Sequence, residues 1–165
     1  MVYLKLGVGF LLVASALIQV FQYQTWWFIQ NVNLIFHEAG HIIFYFFGEF
    51  AAILGGSILE ILIPFMVVVH FARTKQPISA AVGCWWLTTA LLSVSIYASD
   101  ARERLLPLIT NDVDSHDWFN LLQRLDLLKY DDLVGYVFLC VALIATGGIV
   151  FFLSKDKTIV EIKVQ

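Results

Sequence analysis

Apolar residues along this chain gather into five long runs instead of alternating or recurring every three to four positions. The runs are Leu4–Phe21, Thr25–Phe47, Phe50–Ala72, Ile78–Ser99 and Leu133–Leu153, together about two thirds of the chain. Each is close to the roughly 20 residues needed to cross a hydrocarbon core. Lipid offers backbone N–H and C=O groups no partner, so each run is expected to be helical. The implied fold class is all-α, a single-domain polytopic bundle of about five transmembrane helices spanning residues 1–165. Runs four and five hold no charged residue and are the plainest spans. The first has Lys5 at its start and Ala14-Ser15-Ala16 inside it, a pattern shared with secretory signals, but its hydrophobicity continues through Phe21 and a retained span is expected.

The segments between the runs carry the punctuation. Arg73-Thr74-Lys75-Gln76-Pro77 is a short polar turn. Asp100–Asp132 is the long extramembrane stretch, and within it the pattern predicts an amphipathic helix from about Asp117 to Lys129, with Leu121, Leu122, Leu125 and Leu128 on one side. That helix should rest on the bundle or in the interface. Gly48 is a helix stop. Gly55-Gly56 interrupts the third run, either as a re-entrant segment lining a cavity or as a close helix–helix contact, and Pro64 should kink the remainder of that run. The polar tail Ser154–Gln165 alternates in the manner of a short strand, or is unordered. With five crossings, Lys5, Arg102, Arg104, Arg124 and Lys129 fall on one side and Arg73, Lys75, Lys155, Lys157 and Lys163 on the other, a tie that gives no orientation.

Composition agrees with the pattern. Apolar residues make up 60% and charged residues 14%, with a mean hydropathy of +0.82. That excludes disorder and a water-exposed globule. The expected location is a membrane, as a multi-pass protein of a bacterial inner membrane, with the lipid bilayer itself as a partner. A net charge of −3 leaves no basic footprint for nucleic acid. Cys84 and Cys140 both sit inside apolar runs, which predicts small buried hydrophobes and not a disulfide or a thiolate metal site.

The second run is the odd one. It carries Gln30, Asn31, Asn33, His37, Glu38 and His41. His37-Glu38-Ala39-Gly40-His41 fits H-E-x-x-H, the helix motif of zinc hydrolases. At about 100° per residue the two histidines lie on one face a turn apart, so both imidazoles can reach one tetrahedral ion. Glu38 is turned about 100° from His37, beside the ion and not on it, where a general base must stand to take a proton from water activated by the metal. With four His in the chain, a chance match in mid-run is rare. Gln30, Asn33 and Tyr45 extend the same polar face, either toward a wetted cavity or, for Gln30 and Asn33, toward neighbouring helices.

A catalytic zinc takes a third protein ligand and leaves one position to water. The candidates are Asp100, at the end of a charge-free helix, and His116, to which the sequence assigns no capping role; Glu60 in the third run stands behind them. Asp117 is left out of the ligand set. It falls in the first turn of the amphipathic helix, where the macrodipole favours an acid, and Asp114 or Ser115 is the expected N-cap.

A hydrophobic H-E-x-x-H helix, a Gly-rich interruption soon after it and an acid at the end of a later span resemble the site-2 protease family of intramembrane zinc metallopeptidases, and its small bacterial members most. The resemblance is specific at His37–His41 and covers at best Asn33 to Asp100. It implies that His37 and His41 hold zinc, that Glu38 activates water, and that Asp100 is the third ligand. The family's Asn-Pro lead-in and Asp-Gly are replaced here by Ser95-Ile96-Tyr97-Ala98-Ser99-Asp100-Ala101, so His116 stays beside Asp100 as a candidate.

The expected function is therefore a zinc-dependent intramembrane endopeptidase whose substrate is a membrane-embedded or membrane-adjacent peptide, with Tyr45 or His116 as a guess for steadying the oxyanion. A zinc hydrolase of lipid amides or esters would use the same chemistry. A non-enzymatic transporter or scaffold bundle would use the polar face without a metal.

Overall fold

The computed structural model describes residues 2–22, 25 and 27–156. Every regular element among them is helical: α1 (Val2–Phe21), α2 (Phe28–Phe44), α3 (Glu49–Arg73), α4 (Pro77–Ser99), α5 (Asp117–Arg124) and α6 (Asp131–Leu153), with single 3₁₀ turns at Tyr45–Phe47, Val113–Ser115 and Leu128–Tyr130. Four of these, α1, α3, α4 and α6, are long and apolar enough to cross a membrane. The fold is an all-α membrane bundle. Ser154–Asp156 come after α6 without strand structure, and the alternating part of the tail lies outside the described residues.

Local sequence accounts for most of the boundaries. Gly48 adopts φ +97°, in the left-handed region that favours glycine, and ends the 3₁₀ turn after α2. Pro77 opens α4, where the absence of an N–H costs nothing. α3 runs as one helix through Gly55, Gly56 and Pro64, so the re-entrant alternative does not hold. The glycines serve packing instead. A Cβ on Gly55 would stand 2.5 Å from Phe44 Cβ and 2.8 Å from the Gly40 carbonyl oxygen, because α2 and α3 touch backbone to backbone there.

α4 forms the centre of the bundle. Its buried positions are mostly small, including Ala80, Ala81, Gly83, Cys84, Thr88, Thr89, Ala90, Ser95 and Ala98, and small residues let helix backbones approach closely. Ser95 Oγ donates to the Gly135 carbonyl of α6 at 2.7 Å, and the Thr88 and Thr146 hydroxyls pair at 3.3 Å. Trp85 Nε1 of α4 donates to Ser15 Oγ of α1 at 2.9 Å. Cys84 is buried as expected, but Cys140 is exposed on the outer face of α6. The apolar run that holds it is long enough to face both the core and the surroundings.

Among the described residues four helices are long and apolar enough to cross where the sequence has five apolar runs, and the directions of the helices show how the second run is placed. Along α1, Ser15 meets Trp85 and Val20 packs into the Leu91–Leu92 cluster. Along α2, Asn33 meets Trp86 and Thr89 while His37 meets Tyr97. Both helices thus run parallel to α4. Two consecutive parallel helices could each cross completely only if the link returned across the core, about 30 Å. The seven Cα–Cα steps from Phe21 to Phe28 reach about 25 Å at most. α1 and α2 are therefore offset from each other along the bundle, and α2, at 17 residues, is not among the helices long enough to cross. In keeping with this, Lys5 near the start of α1 pairs with Asp156 beyond the end of α6 at 3.0 Å. Among the described residues the cationic groups now divide as Lys5, Arg73, Lys75 and Lys155 against Arg102, Arg104, Arg124 and Lys129, again a tie.

The loop after α4 is pinned from several sides. Asp131, fully buried, accepts from the backbone N–H and Nε of Arg102 at 3.1 and 2.6 Å. α5 is shorter than the stretch its apolar pattern suggests, ending at Arg124. Its Trp118, Leu121 and Leu122 pack with Val94, Ala98 and Ala101, so it rests on the bundle.

Candidate metal centre

α2 turns His37 and His41 to one face, and α3 gives them room. A Cβ on Gly56 would lie 2.7 Å from His37 Nε2 and 2.8 Å from His41 Cε1, so only glycine leaves space for both rings against α3. The ring centroids are 4.8 Å apart with the planes at 78°. Gly56 is seven residues after Glu49, which puts the pair about 10 Å in from the end of α3 at 1.5 Å per residue. The site thus belongs to the end of the bundle where α2 and α4 finish and α3 and α6 begin.

Each imidazole is held by its Nδ1. His37 Nδ1 lies 3.0 Å from Glu60 Oε2 of α3, and His41 Nδ1 lies 2.9 Å from the Ala52 carbonyl oxygen. An acceptor at Nδ1 holds a proton there, so that Nε2 would be the nitrogen offered to an ion, the arrangement found behind metal-bound histidines. Both Nε2 atoms converge on one carboxylate oxygen, Asp117 Oδ2, at 2.8 Å from His37 and 3.3 Å from His41. These three donor atoms lie within 4.8 Å of one another. A tetrahedral ion with ligands at about 2.0–2.1 Å spaces its ligand atoms by about 3.4 Å, so the cluster has the size and the N, N, O chemistry of a three-ligand zinc site.

Asp117 arrives from α5, and α5 is fastened to bring it. Trp118 Nε1 donates to Ser57 Oγ of α3 at 3.1 Å, and the Asp117 backbone N–H donates to the Tyr97 hydroxyl of α4 at 3.0 Å. Arg104 covers the Phe119 ring at 4.2 Å from its centroid.

The other candidates are engaged elsewhere. Asp100 accepts the backbone N–H groups of Leu105 and Leu106 at 2.9 and 3.0 Å, holding the loop that leaves α4. His116 is the N-cap of α5, in the place expected for Asp114 or Ser115. Its Nδ1 accepts from the Phe119 N–H at 3.2 Å, and its Nε2 meets Asp100 Oδ2 at 3.3 Å. It is fully buried, and burial pushes its pKa below the ordinary imidazole value, which keeps the accepting nitrogen unprotonated. With both nitrogens occupied His116 has no lone pair to offer, and neither Asp100 nor His116 joins the cluster. Glu60 touches the ring nitrogen facing away from Asp117, so it stands behind His37 and not among the ligand atoms.

Asp117 was the residue that sequence reasoning passed over, because an acid in the first turn of a helix has a sufficient local explanation in the macrodipole. One signal was present: it directly succeeds His116 and opens the only amphipathic helix.

A cavity of about 400 Å³ opens at the cluster. Its polar wall includes His37, Glu38, His41, Glu60, Tyr97 and Asp117, with the hydroxyls of Ser93, Thr110 and Ser115, and its apolar wall is Leu34, Ile96 and the loop residues Leu106–Ile109. Among the described residues no Lys or Arg lines it. Glu38 is exposed on the cavity side of α2. The rest of the polar face has other employment: the Gln30 side chain accepts the Trp27 N–H at 2.7 Å at the start of α2, and Asn33 pairs with Trp86 and Thr89. Tyr45 is largely exposed and does not line the cavity, and neither does His116, so neither is placed to steady an oxyanion. Comparison of the chain with protein-family models, curated proteins and solved structures returns no match.

Proposed function

We propose that the chain is a zinc-dependent membrane hydrolase that cleaves a peptide bond in or near the bilayer. The observation that carries the reading is the convergence of His37 Nε2, His41 Nε2 and Asp117 Oδ2, with both Nδ1 atoms tied down, on the wall of a cavity that Glu38 also lines. His37, His41 and Asp117 would hold the zinc, which would supply Lewis acidity and make water in the site easier to deprotonate. Glu38 has no part in the ligand set and faces the cavity, so it is free to accept a proton from attacking water and return it to the leaving amine. Tyr97, beside both His37 and Asp117, forms the α4 side of the cavity.

The cavity favours an apolar, uncharged substrate segment. One wall is aliphatic, and the polar wall combines carboxylates and imidazoles with the hydroxyls of Ser93, Tyr97, Thr110 and Ser115, with no Lys or Arg among the described residues that line it to receive a phosphate or a terminal carboxylate. An internal peptide bond flanked by apolar side chains satisfies both walls, and an anionic phospholipid headgroup satisfies neither. The position about 10 Å inside the bundle suits a substrate segment entering from that membrane face.

Glu38→Gln tests the reading. In purified protein with a transmembrane-peptide substrate, the variant should keep about one zinc per chain and lose turnover by about 10²–10⁴. Undiminished cleavage by the variant removes Glu38 as the base, and a wild-type protein without zinc after metal-replete purification removes the centre altogether.

A further inference from the structure

We propose that Glu60 is a positioning residue of the metal centre. Its carboxylate holds His37 in the tautomer and ring orientation that present Nε2 to the ion, and its charge balances the ion inside the bundle. The inference rests on the metal-centre reading above.

Glu60 lies on α3, only 3% exposed, and its Oε2 meets His37 Nδ1 at 3.0 Å. Its second oxygen, Oε1, is buried without a hydrogen-bond partner. A carboxylate in such a place is costly unless a positive charge lies close by. Among the described residues no Lys or Arg lines the cavity to supply one. Two neutral imidazoles and the Asp117 carboxylate would leave a divalent ion with one uncompensated positive charge, and the Glu60 carboxylate, one imidazole away, cancels it. The two histidines differ in this respect. His41 is steadied by the neutral Ala52 carbonyl, whereas His37 has a carboxyl group at Nδ1. The placement also excludes a direct ligand role, since Glu60 meets Nδ1 while Asp117 meets Nε2 of the same ring. A carboxylate behind a metal-binding imidazole raises its basicity and fixes its tautomer.

The test is metal affinity in the purified full-length chain, by competition between the protein and a chelator for zinc, with the visible spectrum of the cobalt-substituted protein as the signature of coordination. Glu60→Gln keeps the size and an acceptor oxygen but removes the charge, and should weaken zinc binding at least about tenfold. Glu60→Leu removes both and should approach about 100-fold, the upper range for such partners. Circular dichroism should show unchanged helix content in E60Q, and its cobalt spectrum should shift because the imidazole is less basic. Zinc affinity in E60Q within about twofold of wild type, with an unchanged cobalt spectrum, overturns the proposal whatever E60L does. A wild type that binds neither zinc nor cobalt defeats the metal-centre reading itself, and the role of Glu60 falls with it.

Discussion

Asp117 and Asp100 are both acids beside a histidine at the same end of the bundle, yet their oxygens are committed differently. Asp117 Oδ2 faces the Nε2 atoms of both His37 and His41, whereas Asp100 is occupied by two backbone N–H groups and His116. Asp117→Asn should therefore abolish stoichiometric zinc, measured by elemental analysis after gel filtration. Asp100→Asn should retain it and destabilise the fold by about 1–2 kcal/mol, the cost of weakening part-buried hydrogen bonds to a charged group. The reverse pattern would return the ligand role to Asp100. At this scale His37, Glu38 and His41 were legible because their spacing is a helix property that holds in any context. The third member of the cluster was not, because Asp117 lies 76 residues beyond His41 and its meeting with the pair depends on how α5 docks.

Between elements, the contact that matters is α2 against α3. Gly40, Gly55 and Gly56 let the two backbones close on each other, and Gly56 also makes the floor beneath the imidazoles. Gly56→Ala should displace the His37 and His41 rings and cost at least about tenfold in zinc affinity, with loss of packing of about 1–3 kcal/mol. Gly147→Ala in α6 is the matched control. A Cβ there meets nothing within 4 Å, so affinity should be unchanged and melting temperature equal or slightly higher. Equal zinc affinity in both variants would show that Gly56 is not needed for the ring positions. The glycine pair was visible as an interruption, but its meaning was ambiguous in sequence, since glycine both breaks helices and lets them touch. The partner across the interface decides which, and Gly40 opposite Gly55 decides for touching.

At the level of the whole molecule, α1 and α2 run the same way, and the start of α1 lies at the end of the bundle that holds the α3–α4 turn and the end of α6. Single-cysteine variants in a background lacking Cys84 and Cys140, labelled in sealed vesicles by a membrane-impermeant maleimide, should place Tyr3→Cys, Lys75→Cys and Lys155→Cys on one side and Glu103→Cys on the other. Labelling of Tyr3→Cys together with Glu103→Cys would restore an odd number of crossings. Run length alone suggested five crossings because the second run, with its flanking aromatics, is as long as the others; the structure trims it to a helix of 17 residues.

The sequence by itself determined that the chain is a helical membrane bundle, since burying so much apolar surface in lipid permits little else, and that one helix carries two imidazoles and a carboxylate at metal-site spacing. Both come from short-range rules, the demand for internal backbone hydrogen bonds and the pitch of a helix. Only the tertiary structure decided that Asp117 completes the cluster, that Asp100 and His116 secure a loop, that Glu60 stands behind His37, and that α1 and α2 are parallel. Those facts depend on which helix faces bury against each other, a choice made by side-chain packing across distant parts of the chain, which no local pattern encodes.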